Sequence, residues 1–184
     1  MRFQAALFVV LTSAAFAQQT GFFQTSIVCG TESRHGWAQV FGETPEGWRQ
    51  FDALDSLPRE SRAVAKIWRG PFGNTLVLVT IAQNNLASQT TYCFHPDGSL
   101  LAVDHQVRTG WGWAFSRAQR YEAGELRSTF SHFISLKDGS EVERPGKLKH
   151  MKENAGVLDP PAYARFADLP FAALFHPLSD AESY

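Results

Sequence analysis

Apolar and polar side chains alternate with a period of two through most of the middle of the chain. Leu101, Val103, His105 and Val107 fall on one side, opposite Ala102, Asp104, Gln106 and Arg108. Trp113 and Phe115 share a side with Arg117 and Tyr121, while Gly112, Ala114, Ser116 and Ala118 make the other side small. Phe130, His132, Ile134 and Leu136 line up opposite Thr129, Ser131 and Ser135, with Phe133 breaking the polar set. This period belongs to extended backbone with one covered face, because successive side chains of a strand point to opposite sides. The apolar set of each strand, His105 and His132 included, is therefore expected to face inward.

Turn residues punctuate these runs at short spacing. Segment 70–74 (GPFGN) separates 63–69 from 75–82, and 95–98 (HPDG) separates 89–94 from 99–108. Segment 122–124 (EAG) separates 112–121 from 125–136, and 137–139 (KDG) turns the chain into 140–144. Proline early in a turn presets φ, and glycine late in it accepts positive φ. Runs this close together leave no room for crossover helices, so the strands pair antiparallel as successive hairpins.

Helical spacing is confined to the flanks. Phe51, Leu54 and Leu57, with Pro58 as a stop, predict one helix over 48–57. Pro160 and Pro170 each open a segment, 160–167 and 170–175, suited to a short helical turn. The tail residues Tyr163, Phe166, Leu169, Phe171, Leu174 and Phe175 are apolar enough to predict packing on a sheet face or along its edge. Segment 145–156 carries Lys147, Lys149, His150 and Lys152 and reads as a solvated connector. The expected fold is mainly β, a β-dominated α+β arrangement: a twisted antiparallel meander of six to eight strands over 63–144, one helix before it, and a short helical tail over 157–178.

The amino-terminal pattern is different. Arg2 precedes an apolar run, 5–16, that ends in Ala15-Phe16-Ala17 and polar Gln18-Gln19-Thr20. This is the layout of a secretory signal peptide cleaved after Ala17, leaving 18–184 as one β-rich domain. The run falls short of the ~20 residues that a spanning helix needs, and Cys29 lies too far downstream for a lipid anchor. The address predicted is periplasmic or extracellular. There an even cysteine count is most simply a bridge, Cys29 to Cys93, the alternative being two separate buried thiols. A formal charge of −1 gives no steering toward nucleic acid or an anionic membrane.

Candidate chemistry is sparse. The six histidines include no pair at the local spacings typical of zinc ligands, so no metal is expected. His105 and His132 stand out only because both fall on apolar-patterned sides and would meet inside a curled sheet. No Gly-x-Ser-x-Gly elbow and no phosphate-cradling loop occur, and no cofactor is implied. The most distinctive run is Gly110-Trp111-Gly112-Trp113 leading into Ala114-Phe115. Trp111, Trp113 and Phe115 on one strand face would make a flat platform for an apolar small molecule, a glycan or an envelope protein. In a chain with 13% aromatic residues the same rings equally serve as sheet core, and core is the reading favoured. The functional expectation is a non-catalytic exported binding or interaction module. An exported hydrolase and an envelope structural or assembly protein are the alternatives.

Overall fold

The computed structural model describes Cys29 and residues 38–70, 72–83, 85–144 and 158–176. The predicted signal segment and the basic connector lie outside these residues. The described chain is built on one antiparallel sheet of nine strands: β1 (Gln39–Thr44), β2 (Gly47–Phe51), β3 (Ala63–Arg69), β4 (Thr75–Gln83), β5 (Leu86–Phe94), β6 (Leu100–Thr109), β7 (Trp113–Glu122), β8 (Glu125–Ser135) and β9 (Glu141–Val142). Their order in the sheet is β2-β1-β3-β4-β5-β6-β7-β8-β9, so all but the first two follow chain order. The meander expected over 63–144 is present among the described residues as seven strands, β3 to β9, within the expected six to eight, and β1 and β2 extend the sheet before it.

Two of the predicted turns use the same device. Asp97 Oδ1 accepts from the Ser99 backbone N–H at 2.9 Å and the Ser99 hydroxyl at 2.7 Å. Asp138 does the same with Ser140, at 3.1 and 2.7 Å. Both stretches read Asp-Gly-Ser, and the carboxylate supplies the turn with acceptors that the backbone lacks. These hydrogen bonds hold both carboxyls below the usual aspartate range.

The predicted helix over 48–57 is not formed. Residues up to Phe51 belong to β2, and only Leu54–Ser56 make a single 3-10 turn. The apparent helical period mixed two elements. Trp48 pairs with Glu43 of β1, whereas Leu57 belongs to the connection from β2 to β3. That connection must pass β1, because β1 lies between the two strands it joins. Its route is marked by Gly42, where an added Cβ would stand 2.6 Å from Leu57 Cδ2 and 3.0 Å from Phe51 Cε2. Gly42 is therefore the gap in β1 that lets the connection lie close. Gly42→Ala is expected to cost about 1–2 kcal/mol in urea denaturation, through forced displacement of Leu57. On a Leu57→Ala background the same change should cost measurably less, and strict additivity would disprove the contact.

Both faces of the sheet carry apolar clusters. On what we call the inner face, Phe41, Ala65, Ile67, Val77, Tyr92, Phe94, Leu100 and Val103 are buried together with Leu169 and Phe171 of the tail. The tail thus covers this face as the sequence predicted. It includes two 3-10 turns, Phe166–Asp168 and Ala172–Leu174, the first starting later than Pro160 suggested. It is pinned by backbone bonds from Leu100 N–H to Ala164 C=O and from Phe166 N–H to Gly98 C=O. Across the sheet, the Cys29–Cys93 disulfide forms, with Cα atoms 5.9 Å apart. It packs with Leu76 and Ala102 on the outer face.

Candidate functional site

The strand register decides which predicted site residues can act together. His105 pairs with Thr90 of β5 and Arg117 of β7, and Arg117 pairs with Ser131 of β8. This row lies on the inner face. His132 pairs with Ser116, which pairs with Gln106, and that row lies on the outer face. The sheet itself stands between the two imidazoles. The expectation that both point inward fails at β8, where Phe133 pairs with Phe115 and faces inward while Phe130, His132 and Ile134 face out. Simple counting of apolar residues on β8 picked the wrong side, because the covering tail lies on the side of the single Phe133.

His105 is only 3% exposed, and its Nδ1 lies 2.9 Å from the Thr90 hydroxyl. Its ring and the Arg117 guanidinium both approach the Phe115 ring, with centre distances of 6.4 and 5.3 Å. Arg117 forms an ion pair with Asp159 of the tail. Tyr92, in the next row, donates its phenolic hydrogen to the Pro161 carbonyl at 3.0 Å. Burial pushes that phenol well above its ordinary range, Tyr163 adds to the rise, and a hydrogen bond with Thr90 offsets part of it. Arg117 and Tyr92 tie the tail to the sheet, and the buried Thr90 and His105 beside them are bonded to each other.

Trp113 and Phe115 are buried, and they form an inner-face cluster with Val107 and Leu158. Phe133 meets Phe115 at 4.9 Å and Trp113 at 5.7 Å between ring centres. For these two rings the core reading holds and the open platform does not. Trp111 has a different fate. Gly112 adopts φ of +87°, which ends the strand and takes Trp111 out of register with Trp113. Trp111 remains 45% exposed, with its ring 6.3 Å from that of Trp113. Leu136, 40% exposed, is tied to the same corner by its N–H to the Gly112 carbonyl.

The sequence reading missed where exposed apolar area collects. Among the described residues the large exposed apolar side chains are Leu54, Phe72, Trp111, Leu126, Phe130 and Leu136. All but Leu54 and Phe72 belong to the β7–β8 hairpin or its flanking turns. The first half of β8 is exposed on both faces, Glu125 through Ser131. Opposite β7, among the described residues, β8 gains a ladder only at Phe133 and Ile134, through the short β9. Among the described residues, its outer edge from 125 to 132 has no strand beside it.

His132 sits on this outer face, its ring 5.2 Å from Phe130. Burial holds its pKa below the ordinary 6.5, and Glu141 pulls weakly the other way. The folded state therefore takes up this proton later than the unfolded state. The contribution to stability is complete above about pH 6.5 and is lost as pH falls through the lower folded value. His132→Gln should make the denaturation midpoint decline less steeply between pH 7.5 and 5 than it does in the parent chain, and parallel profiles would refute this.

Among the described residues no three of His, Cys, Asp and Glu are grouped to hold a metal ion, and no helix is long and apolar enough to cross a membrane. Compared with protein-family models, curated proteins and solved structures, the chain matches none. Its functional reading rests on its own geometry.

Proposed function

We propose that the chain is an exported, non-catalytic interaction module that engages its partner through the β7–β8 end of the sheet. The carrying observation is that Trp111, Leu126, Phe130 and Leu136, each at least 40% exposed, all lie along the β7–β8 hairpin or its flanking turns, with Trp111 and Leu136 together at one corner. Apolar side chains concentrated on one hairpin, rather than scattered singly, are a mark of an interaction surface. The Cys29–Cys93 bridge supports an oxidising compartment, and the signal-like layout of residues 1–17 supports export. An apolar small molecule, a glycan or an envelope protein remains the class of partner.

Trp111 supplies the readout. It is half-exposed beside the buried Trp113, so occupation of this corner should shift its emission to shorter wavelength. We expect the mature chain to show such a shift on titration with lipids, glycans or envelope extracts, and Trp111→Phe to abolish it. A parent chain whose emission ignores all three removes the support for this reading. The assembly-protein reading is favoured by one separate observation, the open edge of β8.

A further inference from the structure

We infer that this edge is a self-association site, at which two copies of the chain pair β8 with β8 about a two-fold axis at Phe130. The inference rests on the interaction-module reading and names the partner for the strand part of that surface.

Backbone directions on β8 follow from two hydrogen bonds. The Leu136 N–H points inward, to the Gly112 carbonyl at 2.9 Å, and the Ser135 N–H points outward, to the Ser140 carbonyl at 2.9 Å. Directions alternate along a strand, and the β7 register is unbroken from Ser135 back to Ser128. Phe133, Ser131 and Thr129 therefore present N–H and C=O away from β7, while Ile134, His132, Phe130 and Ser128 bond toward it. β9 takes the outward groups of Phe133, through its pairing with Val142. Among the described residues, those of Thr129 and Ser131 form the open row.

An antiparallel copy centred on Phe130 matches this row to itself. Thr129 of one chain then faces Ser131 of the other, and each such pair exchanges both of its backbone bonds. Phe130 faces Phe130 in the closer, non-bonded type of pair, with Cα atoms about 4.5 Å apart. Two rings that are each 58% exposed are thereby removed from water. Ser128 faces His132, so no like charges are opposed.

The ends of the paired segment also fit. Beyond Ser128 the second copy would collide with Val142, which already occupies the position beside Phe133. The β7–β8 register shifts there, Arg120 pairing with Ser128 and Tyr121 with Leu126, so Arg127 is the extra residue of a bulge. A bulge bends the strand and ends regular pairing at that point. Arg127 at this bulge is already paired with Glu122 and Glu125 of its own chain, so no unpaired cation stands at the end of the segment.

The paired segment is short, so the dimer should be weak and visible only at high concentration. In sedimentation equilibrium of the full mature chain, from about 10 µM to about 1 mM, the mass should rise from one chain toward two. Phe130→Lys places like charges on the axis and should hold the mass at one chain throughout. Thr129→Pro removes an outward N–H that no described strand uses, and proline is tolerated on such an edge. It should block the dimer equally and leave the circular dichroism spectrum unchanged. Amide exchange at Thr129 and Ser131 should slow at least tenfold between the lowest and highest concentrations.

A parent chain that stays at one copy overturns the inference, as does a dimer indifferent to both variants. Protection of the Thr129 and Ser131 amides in the single chain would do so too, by showing the edge already covered. A single chain whose Trp111 emission still responds to ligand leaves the interaction-module reading standing and removes only the self-association. A dimer with silent Trp111 does the reverse.

Discussion

Phe171→Ala should be the most damaging single substitution, lowering unfolding free energy by about 3–5 kcal/mol, the range for deleting a buried phenylalanine. Phe171 is 1% exposed although it belongs to the tail. Its ring stacks on Phe41 of β1 at 5.6 Å and meets Trp48 of β2 at 4.6 Å. It therefore joins the tail to the two strands that enter the sheet out of chain order. Truncation leaves a cavity between rings that cannot all collapse into it, because Phe41 is fixed by ladders on both sides. Domains of this kind are usually stable by about 5–15 kcal/mol, so the loss is a large share of the total. Phe166→Ala, at a half-buried ring packed edge-on against Phe94 and Phe175, should cost visibly less. Urea denaturation followed by circular dichroism makes the comparison. A Phe171→Ala loss below about 1 kcal/mol would mean that the tail is not part of the cooperative unit.

Loss of the disulfide should cost about 4 kcal/mol in the chain-entropy model, for a bridge closing a loop with a sequence separation of 64. Both cysteines are fully buried, so replacing them also perturbs packing against Leu76 and Ala102. Cys29→Ala with Cys93→Ala isolates the structural term, and reduction of the parent chain tests the same bond without changing volume. The two experiments should agree in sign and roughly in size. If the reduced chain unfolds at the same urea concentration as the oxidised one, the bridge contributes nothing to stability.

Local signals read from the chain were reliable where structure is locally determined. The Asp-Gly-Ser turns at 97–99 and 138–140 carry their own hydrogen bonds, so composition alone located them. The alternation from Val103 through β7 also holds, since His105, Val107, Trp113 and Phe115 all meet the covered face. Leu101, however, at the register shift opposite Cys93 and Phe94, packs on the outer cluster and leaves the inner face to Leu100. Failures came where a distant segment decides. Phe51, Leu54 and Leu57 fit a helical period, yet β1 captures the first and the crossing at Gly42 captures the last. On β8, which face is inner depends on a tail more than twenty residues downstream, and no period within the strand contains that information. By period, Trp111 belongs with Trp113 across Gly112. Its positive φ instead takes the first ring off the sheet.

Cover for the inner face arrives late in the chain. Leu169 and Phe171 follow every strand they protect, so a chain threaded amino end first through an export channel would form hairpins whose apolar side stays wet until the tail emerges. During that interval the growing sheet presents the kind of surface on which unfinished proteins stick to one another. For the exported chain proposed above, secretion yield should then depend on how quickly the tail docks.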